Sequence, residues 1–331
     1  MKVNHVVLTG GVGSRLWPLS RKNKPKQYLD IFEGESLFEK TIKRNAKFTD
    51  HLLVVGNIEN EHWSKVGLKN LKIDKATLLT ETVAKNTAAA VAFAAMSSQP
   101  NDILLVTPAD HIIKEGESYD RALRRAFQLA RDGALVTFGV FPKEPETGFG
   151  YIEFDGEKVI SYKEKPTREL AKRYVESGGY LWNSGMFCFK AQVYLAELER
   201  LAPAIFKAAS AAFEQRQGAK MNASASEAIP NVSIDYAVME KSDLLKVVPS
   251  HFEWSDMGSY TALYDYLKGS GHPIDSKGNM FIGSGRPAFF IGLQNCIVVD
   301  TADSILIVRK ENAQDVKDIY DQLSESHPEL L

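Results

Sequence analysis

What the chain lacks narrows its class first. Among 331 residues there are only two cysteines, Cys188 and Cys296. A disulfide-stapled secreted scaffold is excluded, and both cysteines, set among apolar residues, are expected to be buried free thiols in a reducing compartment. The longest apolar stretch, residues 88–96, falls far short of the roughly 20 residues that span a bilayer. Neither charge sign dominates: 40 basic residues face 42 acidic ones, so there is no general field for nucleic acid or anionic lipid, and any basic site must be local. The short apolar run after Lys2 lacks the h-region of a secretory leader, and a cytoplasmic protein with no membrane partner is expected. Two phosphate signatures are also missing from the stretch "VVLTGGVGSRLWPLSRKNKPKQYLDIF", residues 6–32. Leu16 stands where a dinucleotide fingerprint needs its third glycine, and no Gly-Lys-Ser/Thr closes a P-loop.

What this stretch does contain is Gly10, Gly11 and Gly13 directly after a strand-like run, then Arg15, then a Lys24-Pro25-Lys26 hook. Taken singly, glycines after a first strand are turn punctuation, and Arg and Lys are solvated surface. Packed this densely, they point to a backbone turn built to approach an anion, with phosphate the obvious candidate.

Strand-like runs recur at residues 6–8, 52–55, 76–79, 103–106 and 134–139, separated by helical periodicity such as that of 119–130. That alternation predicts a Rossmann-like α/β fold with a mixed, mostly parallel sheet flanked by helices, whose ligands sit beyond the carboxyl ends of the strands. A hairpin on Asp155-Gly156 follows, with helices expected over 168–176 and 192–216, a polar loop over 217–226, a helix from an N-cap at Ser233 to 241, and a strand at 244–248. The Gly- and Ser-rich run from residue 269 marks a boundary, giving a catalytic domain over 1–268 and a small β-rich domain over 269–331. The latter is expected to hold strands at 279–282, 288–291, 296–299 and 305–308 and a terminal helix over 312–323.

Five places carry residues suited to chemistry. Asp110 in "TPADH" follows a buried strand at the ligand edge, where a hard cation such as Mg²⁺ takes one or two carboxylates plus phosphate oxygens; the plain alternative is a turn-forming Asp, and His111 beside it reads as structural. Asp256 in "FEWSDMGSY" either completes such a metal site or is an ordinary acid near a helix N-terminus, and spacing does not choose. Glu164 and Lys165 end the hairpin in "YKEKP", while Asn183 in "LWNSGMFCF" stands between an aromatic and a Ser-Gly turn. Carboxylate and amide suit sugar hydroxyls and an ammonium suits a phosphate, although Glu-Lys pairs are usually solvated and Asn-Ser-Gly is usually a turn. Asn86 and Thr87 open the helix "NTAAAVAFAAM", whose free amides and small side chains would let a flat base lie close, or whose alanines simply pack on the sheet.

The ordered set GGxGS-R-LWPLSR…KPKQ, TPADH, TGFGYIE, EKP, WNSGMF, SIDYAVMEKS and WSDMGS resembles the bacterial mannose-1-phosphate guanylyltransferases, the GDP-mannose pyrophosphorylases of the sugar nucleotidyltransferase superfamily, over almost the whole chain. The resemblance implies a GT-A-like nucleotidyltransferase fold. It also implies transfer of GMP from GTP to mannose 1-phosphate, giving GDP-mannose and pyrophosphate, with Mg²⁺ as cofactor and a homodimer. Carried onto matching positions, it puts the GTP phosphates at Leu8, Gly10, Gly11, Gly13, Ser14 and Arg15, and has Lys26 support the α-phosphate and the departing pyrophosphate. Glu81, Asn86 and Thr87 would meet guanine and ribose; Gly150, Glu164 and Asn183 would hold the sugar, and Lys165 its phosphate. Asp110 and Asp256 would bind Mg²⁺, and Arg15, Lys26, Asp110 and Lys165 would form the catalytic set. The stretch "ETVAKNTAAA" departs from the family's usual Glu-Pro-x-x-Arg-Asn-Thr-Ala-Pro-Ala at Thr82, Lys85 and Ala89. A guanylyltransferase for a heptose or glucose phosphate, or a non-catalytic relative that only binds GDP-mannose, is the alternative.

Overall fold

Apolar runs of β-branched residues and leucine build the strands of the central sheet. In the computed structural model, which describes all residues but Glu164, Ser284 and Gly285, the first such runs are β1 (Val3–Leu8), β2 (His51–Asn57), β3 (Ala76–Glu81) and β4 (Ile103–Pro108). All four are parallel, in the order β3-β2-β1-β4. After the short β5 (Ile112–Ile113) come β6 (Leu135–Val140), the hairpin β7 (Tyr151–Asp155) and β8 (Lys158–Lys163), β9 (Tyr180–Lys190) and β10 (Leu245–Ser250). They extend the sheet to nine strands as β4-β9-β6-β10-β8-β7. The sheet is mixed because β9 runs antiparallel to both β4 and β6.

Helices α1 (Leu37–Ala46), α2 (Glu61–Asn70), α3 (Asn86–Met96), α4 (Glu117–Arg131) and α5 (Arg168–Ser177) follow their strands. Serine and threonine fix two of their starts: Ser36 and Glu39 form a reciprocal capping box on α1, and the Thr167 side chain accepts from Leu170 N on α5. Every residue of α3 from Ala88 to Ala95 is buried, since alanines let this helix lie between the sheet and the helices beyond it. Those helices are α6 (Ala191–Leu201) and α7 (Pro203–Glu214). The single helix expected over 192–216 is broken because Pro203 has no N–H to continue the α6 ladder and instead opens α7.

Other expectations shift for local reasons. The polar stretch 217–226 ends in a short helix, α8 (Ala223–Glu227), capped by the Asn222 side chain. The helix expected from Ser233 is a five-residue π-turn, Asp235–Met239. "WNSGM" does not reverse the chain: it lies within β9, which bulges at residues 184–186 opposite Thr137 and Gly139, with Gly185 at φ 68°. Beyond the two-residue β11 (Trp254–Ser255), Ser259 caps α9 (Tyr260–Gly269). The C-terminal segment holds β12 (Met280–Ile282), β13 (Cys296–Asp300) and β14 (Ile305–Arg309), then a 3-10 turn leading into α10 (Val316–Ser326). Residues 288–291 form no strand, and Phe289 and Ile291 are exposed.

One apolar core joins this segment to the N-terminus: Leu16, Trp17, Phe32 and Leu37 pack with Tyr260, Leu263, Ile297 and Val299. Both cysteines are buried and free. Among the described residues, no helix is long and apolar enough to cross a membrane.

Candidate functional site

The phosphate end is assembled where two neighbouring parallel strands finish. Leu8 of β1 is in register with Pro108 of β4, and Ala109 N donates to the Leu8 carbonyl at 2.9 Å. The glycine turn and Asp110 therefore leave the sheet side by side. Gly13 has φ 78° and starts the Ser14–Leu16 3-10 turn. A Cβ on it would stand 2.7 Å from Lys26 Cγ, so the missing side chain is the space that Lys26 occupies. Lys26 is held there by its own N–H on the Val12 carbonyl at 3.2 Å.

Lys26 is 8% exposed. Its Nζ lies 2.8 Å from Asp110 Oδ2 and donates at 2.8 Å to the Asp256 carbonyl. Burial alone pushes the Asp110 carboxyl up, but the Lys26 ammonium, with His111, outweighs it and holds the group below its ordinary value. Asp110 is thus a carboxylate at neutral pH. The His111 imidazole is pushed below its ordinary value by burial, against the pull of Asp110. Its Nδ1 accepts from Trp254 Nε1 at 3.2 Å, and its Nε2 lies 3.7 Å from Asp110 Oδ1.

The second acid arrives through a small ladder. β11 pairs antiparallel with β5, Ser255 opposite Ile112, so the residues flanking this pair, Asp110 and Asp256, are brought to one end of it. Asp256 Oδ1 accepts from Gly258 N at 3.0 Å, and Arg15 Nη1 donates to the Gly258 carbonyl at 3.4 Å. Arg15, Lys26, Asp110 and Asp256, far apart in sequence, thus form one connected group. Among the described residues no three His, Cys, Asp or Glu side chains gather to hold a metal by themselves. Asp110 and Asp256 instead offer carboxylate oxygens of the kind that a hard divalent cation takes together with phosphate oxygens and water.

On the other side of the glycine turn, Glu81 ends β3. It is 8% exposed, and its Oε1 has no hydrogen-bond partner. Burial pushes its carboxyl up to about 7, against a hydrogen bond from the Lys85 backbone. Asn86 opens α3 with φ 69°, but two of the amides expected to be free at this terminus are taken. Thr87 N donates to Asn86 Oδ1 at 2.8 Å and Ala88 N to the Val232 carbonyl at 3.4 Å. The Thr87 hydroxyl in turn accepts from Ile234 N at 2.9 Å.

Asn183 sits on β9 with its backbone N–H on the Gly150 carbonyl at 2.8 Å. Its side chain is tied to Thr137, Gly185 and Asp235. Sequence alone did not single out Asp235, which falls in the helix expected from Ser233; the Ser-Ile-Asp-Tyr run, an acid between apolar residues just past an N-cap, was the available signal. Lys165 is exposed, with φ 43°, just past β8, and Glu164 lies outside the described residues. A cavity of about 490 Å³ opens beside Arg15 and Asp256, floored by Phe149, Trp182 and Trp254. It meets the phosphate end of the site and not Glu81 or Asn183.

The family described as Nucleotidyl transferase matches residues 4–270, and the MannoseP isomerase/GMP-like beta-helix domain matches 273–323. A mannose-1-phosphate guanylyltransferase of Escherichia coli is 36% identical over 97% of this chain and 74% of its own. The alginate biosynthesis protein AlgA of Pseudomonas aeruginosa is 37% identical over 96% of this chain and 71% of its own. The crystal structure described as a mannose-1-phosphate geranyltransferase from Thermus thermophilus superposes with a TM-score of 0.84 at 29% identity, over 98% of this chain and all of that one. Helix-flanked mixed sheet, glycine turn, paired acids and these likenesses agree: the chain belongs to the nucleotidyl transferase family.

Proposed function

We propose that this protein transfers GMP from GTP to mannose 1-phosphate, releasing pyrophosphate and GDP-mannose. The observation that carries the reading is Lys26, buried beneath the glycine turn and bridging the Asp110 carboxylate and the Asp256 carbonyl, in a chain whose relatives include a mannose-1-phosphate guanylyltransferase.

A phosphate oxygen of the sugar phosphate attacks the α-phosphorus of GTP in line; the new P–O bond forms as the bond to the β-phosphate oxygen breaks, and pyrophosphate leaves with the electron pair. The nucleophile is already anionic near neutral pH, so no general base is required, and catalysis is positioning with charge neutralisation. Backbone N–H groups of residues 10–14 receive the phosphates, and Arg15 neutralises the β- and γ-phosphates. Lys26 follows the charge that grows toward the leaving group. Asp110 and Asp256 would hold Mg²⁺, which when bound supplies charge neutralisation across the phosphates. The Glu81 carboxylate, whose Oε1 has no partner, offers acceptors to the two N–H donors of the guanine edge, a pairing adenine cannot make. Asn183, Gly150 and Lys165 take the sugar and its phosphate. The homodimer is tested by sedimentation velocity.

The deciding experiment is pyrophosphate release with Mg²⁺ from GTP, ATP, UTP or dTTP, offered with mannose 1-phosphate or glucose 1-phosphate. Release confined to GTP with mannose 1-phosphate supports the reading. Equal or faster release with glucose 1-phosphate overturns the sugar assignment. Silence from protein that still binds GDP-mannose overturns the catalytic one.

A further inference from the structure

The motif "SIDYAVMEKS" has no part in the reaction as described, yet its first residues touch both halves of the site. Ala88 N reaches the Val232 carbonyl at 3.4 Å, and Ile234 N donates to the Thr87 hydroxyl at 2.9 Å. Residues 232–234 are thereby fastened to the start of α3, where the base is read. One residue on, Asp235 Oδ1 accepts from Asn183 Nδ2 at 3.0 Å and from the Tyr162 hydroxyl at 2.8 Å. Glu240 N closes the π-turn on the Asp235 carbonyl at 2.9 Å. Single π-turns are rare and are found disproportionately at functional positions.

We propose that residues 232–235 form a strap from the base subsite to the sugar subsite, and that Asp235 is a positioning residue fixing which edge of the Asn183 amide the sugar meets. This rests on the reading that Asn183 holds the sugar.

The orientation of that amide follows from its partners. Gly185 N can only donate, and it lies 3.2 Å from Asn183 Oδ1, so that atom is the oxygen. The Thr137 hydroxyl donates to the same oxygen at 3.1 Å, which occupies both its lone pairs. Of the two Nδ2 hydrogens, one goes to Asp235. The second is the single polar group of the side chain left for a ligand, so position 183 offers a donor and selects a sugar oxygen that accepts. Without the Asp235 oxygen the amide would be held through its oxygen alone, and its nitrogen would lose the partner that directs the second hydrogen. Thr137 and Gly185 fix the oxygen end, Asp235 fixes the nitrogen end, and the strap fixes Asp235.

The test is steady-state kinetics on the full chain. Asp235→Leu, which keeps the bulk and removes the acceptor, is expected to raise KM for mannose 1-phosphate about tenfold, while KM for GTP stays within twofold and kcat within threefold. Asp235→Asn, which keeps a carbonyl oxygen in place of Oδ1, is expected to remain within threefold of wild type throughout. A protein merely loosened by the substitution would raise both KM values together, and that result overturns the proposal. So does an unchanged sugar-phosphate KM in Asp235→Leu, or an Asp235→Asn as damaged as Asp235→Leu. If Asp235→Leu folds poorly by circular dichroism, Asp235→Ser, too short to reach the Asn183 amide, carries the same expectation. Asn183→Ala separates the two layers. An unchanged sugar-phosphate KM there refutes the sugar role of Asn183 itself, whereas a raised KM there with none in Asp235→Leu refutes only the positioning role.

Discussion

Glu81 gives the site a proton that both stability and ligand binding should report. Its carboxyl titrates at about 7 in the folded chain against an ordinary value of 4.5. Between those values the folded state binds more protons than the unfolded one, so stability is highest on the acid side and falls as pH rises through the window. The shift converts to about 3 kcal/mol, fully expressed only above pH 7. Glu81→Gln removes the ionisation and keeps the shape. Urea unfolding followed by tryptophan fluorescence should therefore show the variant more stable than wild type by roughly 2–3 kcal/mol at pH 8.5 and by less than about 1 kcal/mol at pH 5. A gap of the same size at both pH values would refute the reasoning, because it would mean that Glu81 is not the group whose charge is penalised. The ligand arm has the opposite sign. Guanine's two N–H donors need the carboxylate form, so GDP-mannose, whose diphosphate does not titrate in this range, should bind wild type about tenfold more weakly at pH 6 than at pH 8. In Glu81→Gln that binding should be weak and flat with pH by isothermal calorimetry.

The remaining predictions concern the phosphate end. Lys26→Met leaves the partly buried Asp110 carboxylate without its cation and should cost about 1–3 kcal/mol in stability, and should lower kcat as well as GTP affinity; an effect on KM alone would assign Lys26 to ground-state binding. Asp110→Asn should abolish most turnover while leaving the circular dichroism spectrum near wild type, with a lowered thermal midpoint because the buried Lys26 ammonium loses its counter-charge. Gly13→Ala places a Cβ 2.7 Å from Lys26 Cγ on a backbone with φ 78° and should cut kcat at least tenfold; in a Lys26→Gly background, which removes the clash but not the backbone strain, it should cost less, and full additivity in that double-mutant cycle would mean that the glycine serves the turn and not the lysine. Chelation by EDTA should stop pyrophosphate release and Mg²⁺ should restore it.

Much of this was legible in residue order, and the exceptions share a cause. The parallel strands β1 to β4 announce themselves through unbroken apolar runs, and since their carboxyl ends must converge, Asp110 could be placed beside the glycine turn without coordinates. Asp256 could not. Its arrival depends on two-residue strands, β5 and β11, whose pairing leaves no periodicity to read. "WNSGM" misled because Asn, Ser and Gly are turn formers by local preference, whereas here the pairing on either side keeps the chain within β9 and the preference is spent on a bulge, with Gly185 at φ 68°. The amides at the start of α3 looked free because their partners, Asn86 Oδ1 and the Val232 carbonyl, are respectively too local and too distant for a helix pattern to reveal. The unpaired Glu81 oxygen is likewise a fact of burial, invisible in "ETVAKN".

The apolar core shared by Leu16, Trp17 and Phe32 with Ile297, Val299 and Leu306 bears on how such a chain can be recombined. A cut near residue 269 follows the change of texture in the sequence, yet it would strip the packing from behind the residues that follow the glycine turn. Trp17 Nε1 donates to the Leu330 carbonyl at 2.7 Å, and Arg21 reaches the same carbonyl. A chimera exchanging the last sixty or so residues between two relatives would thus alter the scaffold of the phosphate loop while leaving every ligand-facing residue untouched. Compatible exchange would need residues 16–37 to travel with the C-terminal segment, which makes the heritable module of this fold discontinuous in the chain.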